Sequence, residues 1–128
     1  MKKYDVNQPI IFKRGIYQLN EESNFNYQLN RVINWDGGRL EDVQKVAGKI
    51  HNSKDWKREL IALGDEAIDE ERVDNAIAYY RMSEFFMYDG DSDKKKYYEK
   101  ATDLFYQYYE DYFEGENPRI KRFTVPYK

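Results

Sequence analysis

The sequence predicts an all-α protein, built as a bundle of about five helices and ending in a short C-terminal β-strand. Three observations support this prediction. Apolar residues recur at helical spacing through most of the chain, as in the run from Val43 to Ile50. The chain contains only 7 Gly and 3 Pro, and 35% of its residues are charged, as in helices with solvated faces. Its 128 residues are enough for one domain with a sizeable core.

The chain is expected to begin with an irregular segment and a first helix. Residues 1–22 show no clear periodicity, apart from a short extended piece predicted at Ile10–Phe12. Ser23 or Asn24 is expected to cap the first helix, because their side chains accept a hydrogen bond from a free backbone N–H. The glycine pair at 37–38 ends this helix, since glycine destabilises helices and favours turns. Its predicted buried face carries Phe25, Leu29, Val32 and Ile33.

Four further helices follow in the predicted order. The second carries the apolar run from Val43 to Ile50, and the third begins behind a cap at Ser53. The fourth is expected over residues 75–88, and the fifth ends before Gly115 and Pro118. The residues predicted to form the core are Leu29, Val46, Ile50, Trp56, Leu60, Leu63, Ala76, Tyr80, Leu104 and Phe105.

The last ten residues have a different pattern from the helices. In residues 119–128, Phe123 and Val125 alternate with polar neighbours, which predicts a short strand that Pro126 limits. A strand has no sheet to join in an otherwise helical domain, so its backbone groups need a partner. Three arrangements of the tail follow: it is disordered, it lies against its own helices through Phe123 and Val125, or it pairs with the same tail of a second chain. Packing on a neighbouring molecule is the favoured one, because exposed apolar surface promotes association.

An acidic turn between the fourth and fifth helices resembles the start of a calcium loop. Asp89, Asp91 and Asp93 alternate, but an EF-hand also needs Gly at its sixth position and Glu at its twelfth. Lys94 and Lys100 stand there. We therefore expect no calcium site. Gly90 instead allows a tight turn, and Ser92 or Asp93 is expected to cap the fifth helix.

The residue types present predict no catalytic residues, no metal site and no cofactor. The chain has no Cys and a single histidine, His51, which is expected to be an ordinary residue near a helix end. No serine lies in a G-x-S-x-G turn, and no phosphate-binding glycine loop is present. Glu84 lies beside an apolar stripe and is expected to pair with Arg81 or Arg58.

Charge and hydropathy exclude two classes of partner. The net charge of −3 argues against nucleic-acid binding, and aromatic residues of the fifth helix stand among carboxylates that would repel phosphates. No apolar run approaches the ~20 residues that a membrane span requires. Together with the lack of Cys, these features predict a cytoplasmic protein.

The segment from Leu63 to Ser83 resembles a single tetratricopeptide repeat. Leu63-Gly64, Ala67, Ala76, Tyr80 and Ser83 match the spacing of that helical hairpin, although the pattern does not recur 34 residues later. This resemblance implies a TPR-like hairpin. The function that it suggests, as an alternative hypothesis, is that of a free-standing helical module for protein interaction.

A broader resemblance covers residues 26–127. The segments "DWK" at 55–57, "NAIAYYR" at 75–81, "EFFM" at 84–87 and "VPY" at 125–127 are similar to the N-terminal helical region of bacterial α/β-hydrolase-fold serine hydrolases of the dihydropseudooxynicotine hydrolase group. The resemblance implies that residues 23–118 form a helical lid domain. Residues 119–128 would then lead into a catalytic domain outside these 128 residues.

This resemblance also implies a function and a set of partners. The helices would cover the active site of a serine hydrolase without being catalytic alone, and Phe85, Phe86 and Met87 are the residues expected to line its substrate pocket. The expected partners are the catalytic domain of the same parent chain and, through exposed apolar surface, a second copy. The family's nucleophile, acid and histidine would lie beyond residue 128, and His51 does not correspond to that histidine.

Overall fold

A computed structural model of the chain describes residues 2–9 and 15–127. Within these ranges all regular secondary structure is helical, which confirms the predicted all-α class. The extended piece predicted at Ile10–Phe12 lies outside the described residues. The helices are α1 (Ser23–Asn34), α2 (Leu40–Ala47), α3 (Ser53–Asp69), α4 (Val73–Ser83), α5 (Ser92–Tyr108) and the single-turn α6 (Glu110–Phe113). None of these helices combines the length and apolar character needed to cross a bilayer.

Three helices begin at least one residue earlier than their predicted caps imply. The side chains that accept a backbone N–H are Glu22 at α1, Asn52 at α3 and Asp91 at α5. Each of them directly precedes the first helical residue. The predicted caps at Ser23 or Asn24, at Ser53, and at Ser92 or Asp93 are therefore wrong. Carboxylates and amides reach the second or third N–H of a helix as well as a serine does, so the sequence left the choice open.

Helix α4 stops at Ser83, five residues before the predicted end at Tyr88. Two side chains take the carbonyl groups that a longer helix would use. The Ser83 hydroxyl donates to the Tyr80 carbonyl at 2.6 Å, and the Trp56 indole Nε1 donates to the Met82 carbonyl at 2.8 Å. Because the last carbonyls of a helix need such partners, these contacts end α4, and residues 84–88 lie outside the helix.

Helices α3 and α4 form the predicted hairpin, joined by residues 70–72. Glu71 has a φ of 58°, and the Arg72 N–H donates to the Ala67 carbonyl at 2.8 Å, as in a left-handed helix C-terminus. The helices run antiparallel, since Trp56 near the start of α3 reaches Met82 near the end of α4. Ala67 and Ala76 are fully buried, which lets the two backbones approach closely.

Gly64 provides the closest approach in this hairpin and yields a prediction. A Cβ atom at Gly64 would overlap the ring of the buried Tyr80. We expect Gly64→Ala to lower the free energy of unfolding by about 1–3 kcal/mol, as overpacking a core does. The matched control is Gly48→Ala, where a Cβ meets no atom within 4 Å and φ is −70°. Chemical denaturation followed by circular dichroism measures both, and equal stabilities would contradict the prediction.

The remaining helices pack around this hairpin. Helix α5 lies along α4, with the rings of Tyr80 and Tyr97 5.6 Å apart, and α1 contacts α2 and α4. The predicted core is confirmed at Leu29, Val46, Ile50, Trp56, Leu60, Leu63, Ala76 and Tyr80, all of which are buried. Leu104 is half-buried against that core.

Phe105 does not belong to the core as predicted, because its side chain is 38% exposed. Only one narrow face of α5 is covered, and its buried residues are Ala101 and Tyr108. Phe105 lies beside that face and packs on Tyr109, with ring centroids 4.9 Å apart. The sequence placed Phe105 on an apolar stripe that is wider than the surface available to cover it.

The C-terminal strand predicted within residues 119–128 does not form in the described part of this segment. Ile120 donates its N–H to the Tyr112 carbonyl at 2.9 Å, and the Arg122 guanidinium lies 3.7 Å from the Tyr106 ring centroid. From 121 to 127 the chain has no regular secondary structure. A strand needs the backbone of a neighbour, and no described residue supplies one to residues 121–127.

Candidate functional site

The three residues predicted to line a substrate pocket lie in the turn after α4 and are not equivalent. Met87 is buried, Phe86 is half-buried against the core, and Phe85 is 39% exposed. Phe86 packs on Trp56 with ring centroids 4.9 Å apart, whereas Phe85 lies under the Arg31 guanidinium at 5.7 Å. The structure therefore places Phe86 and Met87 in the packing of the hairpin and leaves part of Phe85 accessible.

Glu84, in the same turn, is buried and paired with two cations. Arg81 forms the predicted ion pair, and the Lys94 ammonium lies 2.9 Å from the Glu84 carboxylate. Lys94 also donates to the carbonyl oxygens of Glu84 and Met87. Arg58, the other predicted partner, pairs with Asp55 instead. A buried carboxylate with two cationic partners is electrostatically satisfied, which favours a structural role.

The acidic turn is held together by protein groups. Asp91 accepts the Asp93 N–H at 2.9 Å, and the Lys57 ammonium from α3 lies 2.8 Å from Asp91 and 2.9 Å from Asp93. Hydrogen bonding to Lys57 lowers the pKa of Asp91 below its usual value. These carboxylates therefore tie the start of α5 to α3.

The most deeply buried charge in the described residues is Asp42 on α2, which is 2% exposed. Its carboxylate accepts hydrogen bonds from Tyr79 at 2.6 Å, Arg72 at 2.6 Å and Arg39 at 2.7 Å. Burial opposes ionisation, but these three donors outweigh it and lower the pKa of Asp42. Burial and the bond to Asp42 raise the pKa of the Tyr79 hydroxyl. The cluster joins α2, α4 and the hairpin turn, and it has no free oxygen with which to bind a ligand.

The described residues bring together no group of three or more His, Asp or Glu side chains suited to a metal ion. His51 is exposed after α2, and its backbone N–H donates to the Asp55 carboxylate at 2.9 Å. No described carboxylate pairs with its imidazole.

An asparagine ladder on α1 is the feature that sequence reasoning missed. Asn26, Asn30 and Asn34 occupy one stripe of the helix, four residues apart. Each pairs with the main chain of the segment 15–20, which we call the strap. Asn34 accepts the Gly15 N–H at 2.9 Å and donates to the Gly15 carbonyl at 2.7 Å. Asn30 does the same with Tyr17 at 2.7 and 2.8 Å, and Asn26 accepts the N–H groups of residues 19 and 20.

The ladder holds the strap in an extended conformation. Four residues along a helix rise about 6 Å, nearly the distance that two residues span in a strand. Alternate strap residues therefore meet successive asparagines. Consistently, residues 15, 17 and 19 are half-buried, whereas Ile16 and Gln18 are exposed. Asn20 closes the strap by donating to the carbonyls of Ala47 and Ile50, both at 2.8 Å.

A groove of about 620 Å³ lies between the strap and α1. The lining on the α1 side includes Ser23, Tyr27 and Arg31 of α1 and the C-cap residue Trp35, again four residues apart. Ile16 is 98% exposed and Tyr27 is 67% exposed, so the groove has an apolar lining open to solvent. A smaller groove of about 280 Å³ lies between α4 and α5. Neither groove is lined by Phe85, Phe86 or Met87.

One signal in the sequence pointed to the ladder. Asparagine is a poor residue for a helix interior, because its side chain competes for backbone hydrogen bonds. Three asparagines at a spacing of four within α1 therefore indicate side chains that form hydrogen bonds outside the helix.

No protein-family model matches the chain, and comparisons with curated proteins and with solved structures find no match.

Proposed function

We propose that this chain is the helical lid of an α/β-hydrolase-fold serine hydrolase whose catalytic residues lie outside residues 1–128. The proposal rests on the similarity of segments 55–57, 75–81, 84–87 and 125–127 to that group of enzymes. The structural observation that supports it is the apolar tail. Phe123, Val125 and Tyr127 are 81%, 82% and 101% exposed, a surface that another domain would cover.

In this proposal the tail continues into the first strand of the catalytic sheet. The neighbouring strands would supply the hydrogen bonds that residues 121–127 lack among the described residues. Helices covering an active site exclude water and shape an apolar pocket. Phe85 is the member of the predicted trio with the most accessible side chain, so it is the first choice for a pocket residue. The lack of cysteine favours the cytoplasm as the compartment.

The deciding experiment begins with the gene. The reading frame after the codon for Lys128 is expected to continue into a G-x-S-x-G sequence. The continued protein should be labelled by a fluorophosphonate probe, and replacing the serine of that sequence with alanine should abolish labelling. The 128-residue chain alone should stay unlabelled. A stop codon directly after Lys128 in the native gene, or labelling of the short chain, would refute the proposal.

A second candidate is a helical module for protein interaction. The observation that favours it is the α3–α4 hairpin, whose fully buried Ala67 and Ala76 reproduce the close helix packing of a tetratricopeptide repeat. A native stop codon after Lys128 would support this candidate over the lid.

A further inference from the structure

We propose that the free edge of the strap binds an extended peptide segment by strand addition, and that its occupant is the tail of a second copy of this chain. The tail is residues 119–127. The inference goes beyond the lid proposal and concerns the 128-residue chain. A longer protein whose tail is engaged in a catalytic sheet has no free tail to donate. Failure of this inference would therefore leave the lid proposal standing.

The strap presents one free strand edge. In an extended chain the N–H and C=O groups of successive residues point to opposite sides. Gly15 and Tyr17 direct both groups toward the ladder, so those of Ile16 and Gln18 point away from it. No described residue hydrogen-bonds to the backbone of Ile16 or Gln18. This edge is the kind of surface to which an extended peptide adds through its main chain.

The tail has the matching features. The backbone groups of Phe123 and Val125 lie on one edge of an extended chain, and Pro126, which has no N–H, lies on the other. The missing donor therefore does not disturb pairing through Phe123 and Val125. Both side chains are more than 80% exposed and share one face, where they can cover Ile16 of the strap.

Charge sets the direction and register of the pairing. An antiparallel arrangement with Val125 opposite Ile16 places Phe123 opposite Gln18 and Lys121 opposite Asn20. Lys121 then lies beside Glu21, an exposed carboxylate directly after the strap. A parallel arrangement would move the basic end of the tail away from Glu21. Opposite charges on neighbouring strands stabilise a pairing, which favours the antiparallel register.

The dimensions agree as well. The strap provides six residues, 15–20, which extend over about 20 Å. The tail offers seven residues, 121–127, without regular secondary structure. The contact is smaller than that of a stable complex, so we expect weak, concentration-dependent association.

Sedimentation velocity between about 10 µM and 1 mM chain tests the proposal, since weak association falls in that range. The wild-type chain should pass from 15.5 kDa to heavier species as its concentration rises. Gln18→Pro removes the outward N–H and suits the extended strap, so association should weaken at least tenfold. Gln18→Ala is the matched control, because it removes the same side chain and keeps the N–H.

A second pair of variants tests the tail without touching the strap. Val125→Asp should weaken association at least tenfold, because it places a charge opposite the apolar side chain of Ile16. Thr124→Asp changes a residue on the other face of the tail and should associate as the wild type does. A synthetic peptide of residues 119–127 should dissociate the heavier species. Three results would overturn the proposal: a chain that stays monomeric throughout, association that persists without residues 119–128, or equal association of Gln18→Pro and Gln18→Ala with both chains folded.

Discussion

Replacing Trp56 with alanine is expected to lower the free energy of unfolding by about 3–5 kcal/mol, the range for deleting a buried Trp side chain. Trp56 is completely buried on α3 and contacts the rings of Phe25 and Phe86, at 6.0 and 4.9 Å between centroids. Its loss leaves a cavity and removes the donor to the Met82 carbonyl. The indole therefore fixes the end of α4 as well as filling the core.

Urea denaturation followed by far-UV circular dichroism measures this loss. Tyr88→Ala is the control, because Tyr88 is an aromatic residue 72% exposed, and its removal should change stability by about 0.5 kcal/mol or less. A loss below about 1 kcal/mol for Trp56→Ala, far under the range for such a deletion, would show that Trp56 is not a core residue.

The second large effect is expected at Asp42. Asp42→Asn keeps the shape of the side chain but removes the charge that holds Arg72 and Arg39. Arg72 has a side chain only 17% exposed, and an amide cannot accept from all three of the present donors. We expect a loss of about 3–5 kcal/mol, as when one partner of a buried ion pair is removed. Glu41→Gln, whose side chain is 71% exposed, should have little effect at the neighbouring position.

The effect of Asp42→Asn should depend on pH in a defined direction. The pKa of Asp42 is lower in the folded protein than in the unfolded chain, so ionised Asp42 stabilises the fold. This stabilisation is fully present above the unfolded pKa of about 3.9 and is lost as pH falls through the folded pKa. The stability difference between wild type and Asp42→Asn should therefore be constant near neutral pH and shrink in acid. A difference that grows as pH falls would contradict the assigned role.

Local patterns in the sequence were sufficient for the helices and for most of the core. Leu29, Leu60 and Ala76 recur with neighbours at helical spacing, and a helix with such a stripe must bury it. The hairpin was also predictable, because Gly64, Ala67 and Ala76 are small where two helices have to approach. These are short-range properties of the chain, readable without knowing what each helix packs against.

The same reasoning failed where the outcome depended on a distant residue. The end of α4 is decided by Trp56, 26 residues before the carbonyl to which it donates. Phe105 is exposed because nothing covers that part of α5, although its spacing is that of a core residue. The partner of Glu84 was predicted at Arg81, three residues away, but the contact with Lys94 across the turn was not.

The candidate site shows most clearly the difference between local patterns and contacts between distant residues. Residue spacing within one segment is enough to place three asparagines on one stripe of α1 and to alternate apolar and polar residues in the tail. Packing between distant segments was needed to show that the ladder binds residues 15–20, leaving the edge at Ile16 and Gln18 open, and that residues 121–127 form no strand. A backbone hydrogen bond between distant segments depends on which of them the fold brings together. Periodicity describes each segment alone and carries no information about its neighbour.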